Sequence, residues 1–136
     1  AIAPGKRPLS SMTPTFVIGE DRVAVLGTPG GSRIISMVIQ GVLAFDEGLG
    51  AEAIAAAPRI HHQYLPDQVS LEPGALDAAT RAALEARGHV LKEEPRPWGN
   101  MQVAIWHLDS GRVEAGADPR WKQVGKGSTG EGSIFR

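Results

Sequence analysis

The sequence contains no cysteine, so disulfides and thiolate chemistry are excluded, although that absence does not fix the redox compartment. Aromatic residues are few, at 5%. Neither sign of charge dominates: 14 lysines and arginines stand against 15 aspartates and glutamates, for a net charge of −1. A nucleic-acid binder would carry a basic field, and none is written here. No run approaches the roughly 18 apolar residues that suggest a membrane-crossing helix, and the chain opens on no signal-peptide pattern. It starts at Ala1, not at methionine, and Ala1-Ile2-Ala3-Pro4-Gly5 holds neither a polar cap nor a strand start. The expectation is the middle of a longer polypeptide, or a processed fragment.

What is present suffices for one folded unit. The chain has 136 residues, 42% of them hydrophobic, which fits a single domain with a core. Its organising stretch is Gly27-Thr28-Pro29-Gly30-Gly31-Ser32. The β-type run Val23-Ala24-Val25-Leu26 leads in, and a long apolar helical run from Ile34 to Phe45 leads out. Glycine lets backbone approach a ligand closely and tolerates positive φ. The first N–H groups of a helix have no internal partner, and the helix dipole is positive there. Such a loop can hold an anion or the oxyanion of an acyl-transfer transition state. Spacing alone favours a tight turn with Ser32 as helix N-cap, since short glycine motifs are weak evidence.

Pro4, Pro8 and Pro14 make the first 14 residues an extended loop. Ser10 and Ser11 lie in it, where hydroxyls can satisfy local backbone groups. Thr15 to Ile18 and Arg22 to Leu26 read as two strands joined by the hairpin turn Gly19-Glu20-Asp21. Ser32 to about Gly48 is the main helix, apolar around most of its circumference and so expected to be buried on more than one side. A short alanine-rich helix, Ala51 to Ala57, stops at Pro58. Arg59 to Pro66 reads as a loop holding His61 and His62. These adjacent histidines share no helix face and no HExxH spacing exists, so no metal site is expected.

Gln68 to Leu71 alternates as a short strand. Leu76 to Arg87 is an amphipathic helix, with Asp77 at its start and Gly88 where a C′ glycine belongs. His89 to Leu91 can start a strand, and Lys92 to Gly99 is a charged, proline-bearing loop. Met101 to Leu108 is a strong strand. Asp109-Ser110-Gly111 turns it, and Arg112 to Ala115 returns. Residues 121–136 shift to a glycine-rich composition expected of a flexible tail. Strands and helices in this order predict an α+β layered fold.

Several of these stretches carry a resemblance. Pro4-Gly5-Lys6-Arg7-Pro8-Leu9-Ser10-Ser11-Met12-Thr13-Pro14-Thr15, then Gly27-Thr28-Pro29-Gly30-Gly31-Ser32-Arg33-Ile34, is similar to the gamma-glutamyltransferase family (gamma-glutamyltranspeptidase, glutathione hydrolase). Ala57-Pro58-Arg59-Ile60-His61-His62-Gln63, Leu65-Pro66-Asp67 and Gly116-Ala117-Asp118-Pro119-Arg120 follow in order, so the resemblance spans residues 1 to about 120. It implies part of an N-terminal-nucleophile hydrolase, a four-layer αββα sandwich, with this chain in the C-terminal part of the small subunit. It implies cleavage of γ-glutamyl amides such as glutathione, with the glutamyl group passed to water or an amino acid. Gly30 and Gly31 would form the oxyanion hole. Ser10 and Ser11 would bind the substrate's α-carboxylate, for which paired hydroxyl donors suit. No cofactor or metal is implied. The partners would be a glutathione-like substrate, the remaining small-subunit segment and the large subunit, in the periplasm or secreted.

One departure is decisive. In the family, autoproteolysis frees the amine of a threonine whose hydroxyl is the nucleophile. That segment is absent here, as is the acidic residue expected to hold the substrate's amino group. Thr13, Thr15 and Thr28 are internal and have no free amine. The chain is therefore expected to be inactive alone. A phosphate- or nucleotide-binding module and a purely structural fragment stay open as other readings, but Arg33 stands where a Walker loop needs lysine, and the dinucleotide spacing fails.

Overall fold

The structure is a computed structural model and describes residues 3–120. The glycine-rich 121–136 segment and the first two residues lie outside the described residues. The strands are β1 (Thr15–Ile18), β2 (Arg22–Gly27), β3 (Ile60–His62), β4 (Val69–Leu71), β5 (Leu91–Glu93), β6 (Gln102–His107) and β7 (Val113–Ala117). The α-helices are α1 (Ile34–Asp46), α2 (Ala51–Ala56) and α3 (Ala78–Ala86). The expected α+β class holds. β1-β2-β6-β7 form one antiparallel sheet, and β3-β4-β5 form a smaller one in which β4 and β5 run parallel. That parallel pair needs a crossover, which α3 supplies.

The hairpins arise where glycine permits a turn. Gly19 N–H donates to the Arg22 carbonyl at 2.9 Å, and β1 pairs with β2. β2 then pairs with β6 from Arg22↔His107 to Gly27↔Gln102. Because side chains alternate along a strand, one face of this sheet gathers Ala24, Leu26, Val103 and Ile105, each at most 4% exposed. α1 lays Ile34, Met37, Val38 and Phe45 on it. Fully burying a side chain of this size contributes about 1.5–3 kcal/mol. α2 crosses β7 over the buried Gly116, where a Cβ would run into the backbone of Ala51.

The opposite face of the sheet is also apolar. Register sets Phe16, Val25, Ala104 and Ala115 in one row and Ile18, Val23, Trp106 and Val113 in the next. Phe16 is 70% and Ile18 79% exposed, because no described element lies over them.

Four expectations need correction. α1 is not buried all round: the sheet, α2 and β3 lie against it but leave open a stripe on which Ile35, Ile39 and Leu43 are more than half exposed. His61 and His62 belong to β3, pairing with Ser70 and Val69, rather than to a loop. Lys92 and Glu93 likewise belong to β5, where they pair with Ser70 and Leu71. Ser32 is no N-cap, because a 3-10 turn, Gly31–Arg33, precedes α1 and neither start has a side-chain cap. α3 follows the sequence reading: Asp77 Oδ1 accepts the Thr80 N–H at 2.6 Å, and Gly88 closes the helix at φ 91°. No helix among the described residues is long and apolar enough to cross a membrane.

Candidate functional site

The glycine turn sits where β2 ends and α1 begins. Gly31 has φ +58°, a conformation that L side chains rarely adopt. A Cβ on Gly30 would meet the Cε of buried Met37. Both glycines are exposed, and no described residue accepts a hydrogen bond from either N–H. The adjoining carbonyls are held: Gly30 C=O accepts the Arg33 N–H at 3.1 Å, and Pro29 C=O accepts the Thr28 hydroxyl at 2.9 Å. Two free amides at a fixed turn can donate to a negative oxygen.

Ser10 and Ser11 lie in the extended 6–14 segment. The Ser10 hydroxyl accepts the Met12 N–H at 3.2 Å, the local arrangement its position allowed. No hydrogen bond links either serine to the glycines. Their sequence neighbours do meet: Met12, Thr13 and Pro14 line one groove together with Gly27, Thr28 and Pro29. The groove has a volume of about 940 Å³ and runs over the exposed sheet face past Ala104 and Ala115.

Behind the turn lies a buried charged cluster to which sequence reasoning gave no role. Arg59, Glu72 and Asp118 are at most 3% exposed. Arg59 Nη2 meets Asp118 Oδ2 at 2.6 Å. Arg120 bridges Glu72 at 2.5 Å and Asp118 at 3.0 Å. Burial alone would raise the Asp118 carboxyl, but N–H donation from Arg120 and Met101 and the guanidiniums of Arg59 and Arg120 outweigh it, so its pKa lies below the usual range. Burial also outweighs these partners at Arg59, whose pKa is lowered. At Arg120 the bonds to Glu72 and Asp118 outweigh burial and raise it. The cluster grips the loop before β6: Glu72 accepts the Trp98 N–H at 2.9 Å, Arg59 donates to the Trp98 carbonyl, and Asp118 accepts the Met101 N–H at 2.9 Å. Asn100 N–H in turn donates to Thr28 Oγ1 at 3.0 Å.

Arg33, the residue after the glycine-serine run, stacks over the Trp98 ring at 4.5 Å and reaches Glu94 at 3.4 Å. Glu94 is held below its usual pKa mainly by the Ser70 hydroxyl, against some desolvation, with help from Lys92 and Arg33. The histidines are engaged elsewhere. Gln63 Nε2 donates to Leu65 C=O, which leaves Gln63 Oε1 to accept from His61 Nε2, and His61 Nδ1 then accepts the Ser36 hydroxyl. Among the described residues, no group of three His, Asp or Glu could hold a metal ion.

The turn between β2 and α1 thus presents two glycine amides that meet no described acceptor. Residues 1–128 match the model of the gamma-glutamyltranspeptidase family, and the chain belongs to that family. It is 43% identical over 124 residues to the glutathione hydrolase proenzyme of Escherichia coli K12, covering 88% of this chain and 20% of that protein. It is 38% identical over 129 residues to the glutathione hydrolase proenzyme of Pseudomonas aeruginosa PAO1, covering 92% and 23%. The structure of the T380A mutant of Helicobacter pylori gamma-glutamyltranspeptidase superposes with a TM-score of 0.78 at 34% identity, covering 88% of this chain and 66% of that one. The chain thus spans about a fifth of the length of the curated relatives it matches.

Proposed function

We propose that this chain supplies the oxyanion hole and the carboxylate clamp of a gamma-glutamyltransferase that cleaves γ-glutamyl amides such as glutathione. The nucleophile is a threonine from outside residues 1–136. Its hydroxyl attacks the γ-carbonyl, and its own α-amine takes the proton. The carbonyl oxygen becomes an oxyanion that accepts the N–H groups of Gly30 and Gly31. Loss of one such donor typically costs on the order of 100- to 1000-fold in turnover. The hydroxyls of Ser10 and Ser11 hold the substrate's α-carboxylate. Collapse expels the amine, and water or an amino acid then takes the glutamyl group.

The observation that carries this reading is the pair of free amides at the β2–α1 turn, beside a groove shared with the serine segment. The rest of the small subunit and the large subunit cover the exposed apolar faces of the sheet and of α1. The periplasm or the extracellular space is the compartment this reading assigns.

Gly31→Val in the complete enzyme tests it. A β-branched side chain disfavours φ near +60° and crowds the amide. Hydrolysis of a γ-glutamyl anilide is expected to vanish while circular dichroism stays unchanged. Near-normal turnover removes the oxyanion assignment.

A further inference from the structure

We infer that Thr28 is a positioning residue that aims the Gly30 amide at the developing oxyanion. The inference rests on reading Gly30 and Gly31 as the oxyanion donors.

Across a trans peptide, the C=O and N–H point in opposite directions and share one rigid plane. Holding the carbonyl therefore fixes where the amide points. The only cis bond among the described residues is Leu65–Pro66, so the Pro29–Gly30 and Gly30–Gly31 units are both trans. The Gly30–Gly31 unit is held by the backbone, since Arg33 N–H donates to Gly30 C=O. The Pro29–Gly30 unit is held by a side chain, since Thr28 Oγ1 donates to Pro29 C=O at 2.9 Å.

The direction of that second bond follows from counting hydrogens. A hydroxyl has one proton. Asn100 N–H can only donate, so at 3.0 Å Thr28 Oγ1 accepts it. The hydroxyl proton is then left for Pro29 C=O, the alternative being Met37 Sδ at 3.9 Å, a longer and weaker acceptor. Asn100 does not drift, because its neighbours Trp98 and Met101 are bonded to Glu72, Arg59 and Asp118. A line of contacts thus runs from the buried charges through Asn100 and Thr28 to the peptide that ends in the Gly30 N–H. None of these groups other than Gly30 touches the oxyanion.

Thr28→Val keeps the shape and removes the hydroxyl. The test compares wild type, Thr28→Val, Thr28→Ser and Gly31→Val in the complete enzyme, with γ-glutamyl anilide turnover normalised to the processed fraction. Misaiming a donor costs a good part of what losing it costs. Thr28→Val is therefore expected to lower kcat about tenfold or more with KM within about twofold, and Thr28→Ser to restore kcat. A purely structural role would lower the melting temperature without this split. Wild-type kcat in Thr28→Val, beside a dead Gly31→Val, overturns the positioning role and leaves the oxyanion reading standing. An active Gly31→Val overturns that reading itself. If Thr28→Val does not fold, Thr28→Cys replaces it, with a thiol that is a poor donor: a low kcat against a normal Thr28→Ser supports the role, and equal kcat values overturn it.

Discussion

Charge and grease have exchanged their usual places in two regions of this molecule. Arg59, Glu72 and Asp118 are almost wholly buried. On the open face of the main sheet, Phe16, Ile18, Trp106 and Val113 stand more than half exposed. The charged region is self-sufficient. Every carboxylate in it meets a guanidinium, and its remaining lone pairs take backbone N–H groups from Arg59, Trp98, Met101 and Arg120. A buried charge without such partners is very costly. The apolar region is not self-sufficient, because its rows are regular enough to pack on a second layer yet face nothing among the described residues. What is finished is internal polar bonding, and what is unfinished is hydrophobic cover.

If that contrast is right, the largest effect belongs to the chain by itself. Residues 1–136 alone are expected to release no detectable γ-glutamyl product and to self-associate through the uncovered faces, whose strand edges are also open. An anilide assay with light scattering checks this. Release that survives Gly31→Val would mean that the contrast carries no functional meaning.

The next effect falls on the finished region. Asp118→Ala leaves Arg59 buried without its carboxylate and is expected to cost about 3–5 kcal/mol in urea unfolding. The same carboxyl sets an acid limit. Its folded pKa lies below its unfolded value of about 3.9, so its contribution is complete above that value and is lost as pH falls through the lower, folded pKa. Unfolding midpoints should decline as pH falls below about 4, and should decline less steeply in Asp118→Asn.

Ser10 and Ser11 belong to neither region, and they test whether an exposed segment can still be functional. Replacing both by alanine in the complete enzyme is expected to raise KM more than it lowers kcat, each bond to a carboxylate being worth about 1.5–3 kcal/mol. An unchanged KM counts against the clamp.

The smallest effect sharpens the contrast most. Ile18→Asp in the isolated chain, held dilute enough to stay monomeric, should change stability by no more than about 0.5 kcal/mol, since the side chain is then already in water. In the complete enzyme the same change should cost several kcal/mol if a second layer buries it. Equal effects in both would show that nothing covers this face.

The parts legible in the sequence are those decided locally. The β1–β2 hairpin, the cap at Asp77, the stop at Gly88 and the strand-glycine-helix turn each depend on neighbours within a few residues. The three-residue strands β3 and β5 were harder, because so few residues show no period and their pairing is set by distant partners. The apolar pattern of α1 revealed that its faces want cover but not which face receives it. Arg59, Asp118 and Arg120 were visible only as charges inside family-like stretches, and Glu72 lay outside them. Its pairing needs the folded chain, as does the contact of Thr28 with Asn100.

The β2–β6 pairing has a consequence for how the molecule forms. Arg22 meets His107 and Gly27 meets Gln102, so the two inner strands of the main sheet come from opposite ends of the described chain. Closing that pair costs loop entropy before its contacts return anything, which slows folding relative to helical domains of similar size. During synthesis β1 and β2 emerge as an early hairpin and must wait for β6 and β7. The double-glycine turn is therefore made some seventy residues before the Asn100 N–H that anchors Thr28 beside it.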